Sequence, residues 1–240
     1  MKKINAVYVS LAAFVLSAVA LLWCIFGCCG NKTANVEKVL MEKPEIVMDA
    51  LRAYETKQQE NALKAVEEKI KTRADELYNR ADDGVIANPD GKIVLVEFFD
   101  FSCGYCHRLY PALKEVIAKN PDVKVVAKPM AFLSPTSKYA ASVALAAREQ
   151  GKFAEAYKAM FEAEGRLDNA KVDEIVASLG VNVDQLKKDM DSEKVKNTLS
   201  SVSALASDLQ VTGVPTLILN NKILQTLDAS VIQEAIDAAK

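Results

Sequence analysis

From Pro44 to Arg80 apolar residues recur at three- and four-residue steps: Val47, Leu51 and Tyr54, then Leu63, Val66, Ile70 and Leu77. This spacing predicts an amphipathic helical arm of about ten turns. Pro44 suits its first turn, and Gln58 and Gln59 interrupt the apolar seam halfway along. Asp82-Asp83-Gly84 ends the arm, and Asn88-Pro89-Asp90-Gly91 forms a turn. The pattern then changes. The short apolar run Ile93–Phe99 predicts a strand, Cys103–Lys119 a helix and Val123–Lys128 a second strand reached through Asn120-Pro121-Asp122. A strand, helix and strand of these lengths imply a parallel βαβ unit.

A long helical block follows, opened by Ser134-Pro135 and rich in alanine from Ala140 to Gln150. Phe153, Tyr157, Met160 and Phe161 form an aromatic stripe, most simply read as core packing. Asp168 is the expected N-cap and Gly180 the expected C-cap of a helix carrying Val172, Ile175, Val176 and Leu179. Leu186 and Met190 mark a short helix, and Val195–Leu209 another. Pro215–Leu219 predicts a strand, Asn220-Asn221 a tight turn, and Ile223–Leu227 the second arm of a hairpin. Ser230 is the expected cap of a closing helix with Val231, Ile232, Ala235 and Ile236 on its inner side.

Composition excludes some partners. With 30 Lys and Arg against 32 Asp and Glu, and no dense basic cluster, nothing points to a nucleic-acid surface. The N-terminus says more. Lys2 and Lys3 precede an uncharged apolar stretch from Ile4 to Gly27, longer than the roughly 7–15 residues of an export-signal core and long enough to span a bilayer. Three outcomes compete: a retained anchor, cleavage after Ala18-Val19-Ala20, or lipidation at Cys28 behind Ile25-Phe26-Gly27. Each places the body outside the cytoplasm. The expected location is the bacterial periplasm or cell envelope, membrane-anchored through the N-terminal segment or secreted. The expected organisation is a signal or anchor over 1–30, a helical arm over 31–82 that folds back on its own domain, stands as a membrane-proximal stalk or oligomerises the protein through 44–80, and an α/β domain over 83–240 with a helical insertion at about 135–209.

The leader also reorders the cysteines. Of five, Cys24, Cys28 and Cys29 belong to it, leaving Cys103-Gly104-Tyr105-Cys106 in the body. Thiols three residues apart on one helical turn lie roughly 5–6 Å apart, within reach of a disulfide. So short a loop restrains the unfolded chain very little. In an oxidising compartment the pair reads as redox-active, with the first thiolate favoured by the helix N-terminus.

Phe98-Phe99-Asp100-Phe101-Ser102-Cys103-Gly104-Tyr105-Cys106 together with Val211-Thr212-Gly213-Val214-Pro215-Thr216 resembles the DsbA-like thiol–disulfide oxidoreductases. The likeness is to the branch of Com1 and the suppressor-of-copper-sensitivity oxidoreductases, which also carry a helical arm, and it spans about residues 36–240. It implies a thioredoxin fold with a helical insertion, preceded by an N-terminal helical arm. It implies Cys103 as the exposed nucleophile, Cys106 as the buried resolving thiol, Pro215 as a cis-proline beside them and Val214 as the residue whose backbone pairs with bound polypeptide. The implied partners are cysteine-containing exported polypeptides and a membrane redox partner, with no cofactor and no metal. Gly104-Tyr105 resembles the dipeptide of the dimeric bacterial disulfide isomerase, whereas Val214 resembles the oxidase branch, so the direction of electron flow stays open.

Glu97, six residues before Cys103, matches the family's buried acid. A carboxylate pointing inward from a strand has a raised pKa suited to proton exchange with Cys106; pointing outward, it would be a surface acid. His107 is the single histidine, and Cys103-x-x-Cys106-His107 is also the pattern of covalent haem attachment. The alternative readings are therefore a c-type haem protein, with His107 on iron, or an envelope scaffold holding Cu(I) on two thiolates. Otherwise His107 tunes Cys103 by its charge.

Overall fold

The computed structural model describes residues 17–19 and 32–240, so most of the predicted signal or anchor lies outside the described residues. Among the described residues no helix is long and apolar enough to cross a membrane. The chain forms two compact units, Met1–Ala62 and Leu63–Lys240.

Helix α1 (Lys32–Glu42), in the first unit, stops ahead of Pro44, and α2 (Glu45–Thr72) starts behind it and ends within the second unit. Proline blocks helical continuation from the residue before it while fitting a first turn. Every residue from 36 to 65 is exposed. The arm expected to run unbroken to Arg80 breaks at Arg73, after which α3 (Ala74–Tyr78) turns Leu77 into the core. The carbonyl of Glu76, freed near that short helix's end, accepts from the Lys128 ammonium at 2.9 Å. Val66, Ile70 and Leu77 are buried, so the last turns of the predicted arm belong to the second unit's core.

The second unit is built on strands β1 (Gly84–Ala87), β2 (Ile93–Phe99), β3 (Val123–Pro129), β4 (Thr216–Leu219) and β5 (Lys222–Leu224) in the order β1-β3-β2-β4-β5. β2 and β3 are parallel, joined by helix α4 (Gly104–Lys119), and the other pairs are antiparallel. Strand β1 was not foreseen. It has four residues, and Gly84 lies so close to the Phe153 ring that a Cβ there would stand 2.0 Å from it. Asn220 and Asn221, both at positive φ, make the expected hairpin turn. The insertion comprises α5 (Pro135–Arg148), α6 (Phe153–Glu162), α7 (Asn169–Ser178), α8 (Val183–Met190) and α9 (Glu193–Asp208). Asp168 caps α7 as expected, and Gly180 at φ +73° follows its end. The closing helix α10 (Ala229–Asp237) is capped by Asp228, which accepts from the Ser230 amide, and not by Ser230 itself. This is the α/β arrangement of a thioredoxin fold with a helical insertion.

Alternation along β2 separates two faces. Val96 and Phe98 pack with Val202, Leu205 and Leu209 of the α9 segment and with Val66, Ile70 and Leu77. On the opposite face Leu95 packs with Leu109, Leu113, Ile232 and Ile236, and Phe99 with the aromatic stripe of α6. All four residues of that stripe are buried. The first face also holds a buried ion pair, Lys128 with Asp83. Burial raises the Asp83 pKa and lowers that of Lys128, each opposed by its partner's charge.

Candidate active site

β2 delivers the chain from the sheet to the dithiol. After Phe99, the segment Asp100-Phe101-Ser102 turns back, and the Cys103 amide donates to the Asp100 carbonyl at 2.9 Å. Cys103 is the N-cap of α4, with extended backbone, and its carbonyl accepts the His107 amide at 3.1 Å. Asp100 fixes this turn. Its buried Oδ1 accepts from the Ser102 amide at 2.8 Å, and its Oδ2 accepts from the amides of Phe132 and Leu133, each at 3.1 Å. One carboxylate thus ties the approach to Cys103 to the loop after β3, where Ala131 takes a φ of +52°.

Cys103, expected as an exposed nucleophile, is instead only 7% exposed because it lies under the Val214 carbonyl, while Cys106 is fully buried as expected; both are free thiols. The Cys103 thiol donates to the Val214 carbonyl at 3.4 Å. The Val214–Pro215 peptide bond is cis. Val214 reaches this place because Thr216, two residues on, pairs with Phe98 of β2, which sets the preceding loop alongside the start of α4. Burial pushes the Cys106 thiol pKa far up; a hydrogen bond from the Asp100 backbone opposes the rise, and the charges of Glu97 and Cys103 add to it. Tyr105 is exposed, with the Arg108 guanidinium 4.2 Å above its ring, and Gly104 faces open space. His107 is half-buried, packs edge-on against Phe161, and places Nε2 2.9 Å from the Phe101 carbonyl. A carbonyl only accepts, so Nε2 carries the proton.

Glu97 lies on the face of β2 turned toward α4 and α6 and is fully buried. Burial pushes its carboxyl from 4.5 up to about 7, opposed by a hydrogen bond that the Tyr157 hydroxyl donates to Oε2 at 2.6 Å. Oε1 is buried and accepts no hydrogen bond from the protein. The sequence-predicted residues Glu97, Cys103, Cys106, His107, Val214 and Pro215 therefore converge on one end of the sheet. Asp100 and Tyr157 join them unforeseen. An acid between two phenylalanines, Phe99-Asp100-Phe101, was the available sign of the first; nothing local marked the second.

Two clefts border the Cys103 segment. One of about 490 Å³ is bounded by Ser102, His107, Ser134, Thr136 and Arg166, the other of about 450 Å³ by Tyr105, Val214, Pro215, Gln225 and Leu227. Among the described residues no group of three or more His, Cys, Asp or Glu side chains is gathered as metal ligands. As a haem attachment site the motif fits poorly, since His107 Nε2, the atom that would bind iron, is committed to the Phe101 carbonyl at 2.9 Å.

Comparison with known proteins agrees with this geometry. A thiol:disulfide interchange protein DsbA of Pseudomonas syringae pv. tomato is 32% identical over 138 residues, 55% of this chain and 64% of its own. A thioredoxin-like oxidoreductase of Silicibacter pomeroyi superposes with a TM-score of 0.66 at 31% identity, over 69% of this chain and 96% of that one. A linker-deletion variant of Proteus mirabilis ScsC superposes with a TM-score of 0.70 at 25% identity, over 88% of this chain and 97% of its own. The chain spans less than two thirds of the length of the curated relatives that match it, down to 22% of the Na(+)/H(+) antiporter NhaA 3 of Salinispora tropica. The family model of the DSBA-like thioredoxin domain matches residues 94–237, from β2 through α10 and including both halves of the site. The chain belongs to the DSBA-like thioredoxin-domain family.

Proposed function

We propose that the protein is an extracytoplasmic thiol–disulfide oxidoreductase that exchanges disulfides with cysteine-containing exported polypeptides through Cys103 and Cys106. The observation that carries this reading is the contact between the Cys103 thiol and the Val214 carbonyl, with Cys106 buried one turn behind. A polypeptide lying along Val214 would bring its own sulfur to Cys103. In the reductive direction the Cys103 thiolate attacks a substrate disulfide, forming a mixed disulfide and releasing one substrate thiolate. Cys106 then gives its proton to Glu97 and attacks the Cys103 sulfur. The second substrate thiolate leaves, the substrate has gained two electrons and the enzyme has become a disulfide. The oxidative direction is the same sequence reversed.

Gly104-Tyr105 supplies no cation between the cysteines, which favours reduction and isomerisation over pure oxidation. A membrane redox partner would then recharge the dithiol. The N-terminal segment would hold the protein at the membrane, and the arm over residues 44–80 would form a homo-oligomer through its exposed part, where Val47, Leu51, Tyr54 and Leu63 lie, since Val66, Ile70 and Leu77 are already buried in the second unit. Sedimentation of the full chain at several concentrations tests that association.

The test of the activity is insulin reduction and refolding of a scrambled-disulfide substrate, each with the Cys103→Ser variant as control. Turnover by the wild type and none by the variant is expected. Equal activity of the two proteins would end the proposal, and a Soret band in the purified protein would replace it with the haem reading. A strongly oxidising Cys103–Cys106 potential without isomerase activity would reverse the favoured direction.

A further inference from the structure

We propose that Tyr157 is a positioning residue for thiol exchange: it holds Glu97 by Oε2, so that Oε1 is the oxygen that takes the proton from Cys106. This rests on the oxidoreductase reading and goes beyond it, because Tyr157 lies on the helical insertion, 51 residues from the nearer cysteine.

The geometry leaves Glu97 little freedom. The Tyr157 hydroxyl at 2.6 Å is the hydrogen-bond partner of Oε2, and Oε1 has none in the protein. The phenol is itself held fast. Its ring meets Phe161 at 4.7 Å, Phe99 at 5.1 Å, Phe101 at 6.1 Å and Tyr110 at 6.1 Å between centroids. Burial, with the charge of Glu97 behind it, holds the Tyr157 hydroxyl protonated well beyond its ordinary range, so it remains a donor at every working pH. A donor that cannot ionise strengthens as its acceptor gains charge. It therefore stabilises the carboxylate against burial and keeps Glu97 available as a base near neutrality.

Among the described residues the other charges of this corner are already engaged, the Asp100 carboxylate by the amides of Ser102, Phe132 and Leu133. From α4 the groups that act on Tyr157 are Cys106 and Tyr110, and Glu97 and Cys103 both act on Cys106. The Tyr110 hydroxyl donates to Glu162, which Lys114 also binds, and His107 is bonded to Phe101. On the flanking strands the residues in register with Glu97 are Ala127 and Leu217, neither of them ionisable. Lys128 and Asp83 pair on the opposite face. The proton that leaves the Cys106 thiol thus has Glu97 as its buried acceptor. The electron pair left on sulfur forms the new bond to Cys103 as the substrate thiolate departs.

Reaction of the reduced protein with an aromatic disulfide such as 5,5′-dithiobis(2-nitrobenzoate) separates the steps. The first thiolate released reports attack by Cys103, and the second, a first-order phase, reports attack by Cys106. Tyr157→Phe keeps the ring and removes the hydroxyl. It should leave the first phase unchanged and move the inflection of the second upward by about one to two pH units, the worth of a hydrogen bond to a charged group. At pH 7 the second phase should slow roughly five- to fiftyfold and recover in alkali. In a Glu97→Gln background the same substitution should change nothing further. An unshifted inflection, a uniform loss at all pH values, or an equal effect in the Glu97→Gln background would overturn the role of Tyr157 and leave the oxidoreductase reading intact. A wild type that releases no thiolate at all would overturn that reading instead. If Tyr157→Phe weakens the fold, proton NMR of the wild type remains decisive: a Tyr157 hydroxyl without the low-field position and slow exchange of a phenol bonded to a carboxylate refutes the arrangement.

Discussion

Glu97→Gln removes one ionisation from the core while preserving the shape of the side chain. In the folded protein the carboxyl titrates near 7 and not at its ordinary 4.5. At 1.36 kcal/mol per pH unit, that rise amounts to about 3 kcal/mol. The folded-state pKa is the higher one, so the buried acid costs no stability below pH 4.5, withdraws it as pH climbs, and has withdrawn all of it above about 7. Glutamine never acquires the charge. The unfolding free energy of the variant should therefore gain on that of the wild type by about 3 kcal/mol between pH 4 and pH 8. Burial holds the Cys106 thiol protonated throughout, so it does not contaminate the difference. Urea unfolding of both proteins, kept reduced with a phosphine, measures the gap at half-unit steps. The extra amide N–H of glutamine adds a constant offset, and only the slope carries information. A gap that stays level from pH 4 to pH 8 would refute the reasoning, because Glu97 would then titrate alike in the folded and unfolded chain.

Lys128→Met should destabilise the fold by about 3–5 kcal/mol by stranding the Asp83 carboxylate in the core, and adding Asp83→Leu should recover most of the loss; urea midpoints of the single and double variants check this. Asp100→Asn should cost about 2 kcal/mol through weakened amide contacts, with faster hydrogen exchange at Ser102, Phe132 and Leu133 and little change elsewhere. Phe161→Ala opens the cluster that packs Tyr157, Tyr110 and His107. It should lower unfolding free energy by about 3 kcal/mol, and its NMR spectrum should show a displaced His107 ring.

What the chain disclosed depended on how far apart the interacting residues lie. The dithiol, the hydrophobic strand before it and the Val214-Pro215 pair are each local patterns, and the site they announced is assembled as one. Glu97 was legible as an acid inside an apolar run. Tyr157 was not, because it shares the helical spacing of Phe153 and Phe161, and its hydroxyl finds a partner 60 residues away. β1 escaped for a related reason: Gly84-Val85-Ile86-Ala87 is too short for alternation to show, and its pairing with β3 lies beyond any local window. The break at Arg73 follows from burying Leu77 on the sheet and from the Lys128 contact to Glu76, a demand made by tertiary structure on a sequence with good helical spacing.

The register of β2 and β3 explains why two opposite buried charges so close in the sheet do not neutralise one another. Glu97 stands opposite Ala127, and Lys128 stands opposite Phe98. Side chains alternate along a strand, so the lysine leaves on the face covered by α3 and the β1 turn, where it binds Asp83 and the Glu76 carbonyl. Glu97 leaves on the face of the dithiol, where its donor is a neutral phenol. Had the cation occupied the position of Ala127, its charge would have drawn the carboxyl back toward or below its ordinary range, and Glu97 would have been a fixed anion at neutral pH. One residue of register thus divides the work. On one face a paired charge fastens the helical segment to the sheet. On the other an unpaired acid keeps a proton affinity near neutrality, where it can follow the chemistry of Cys106.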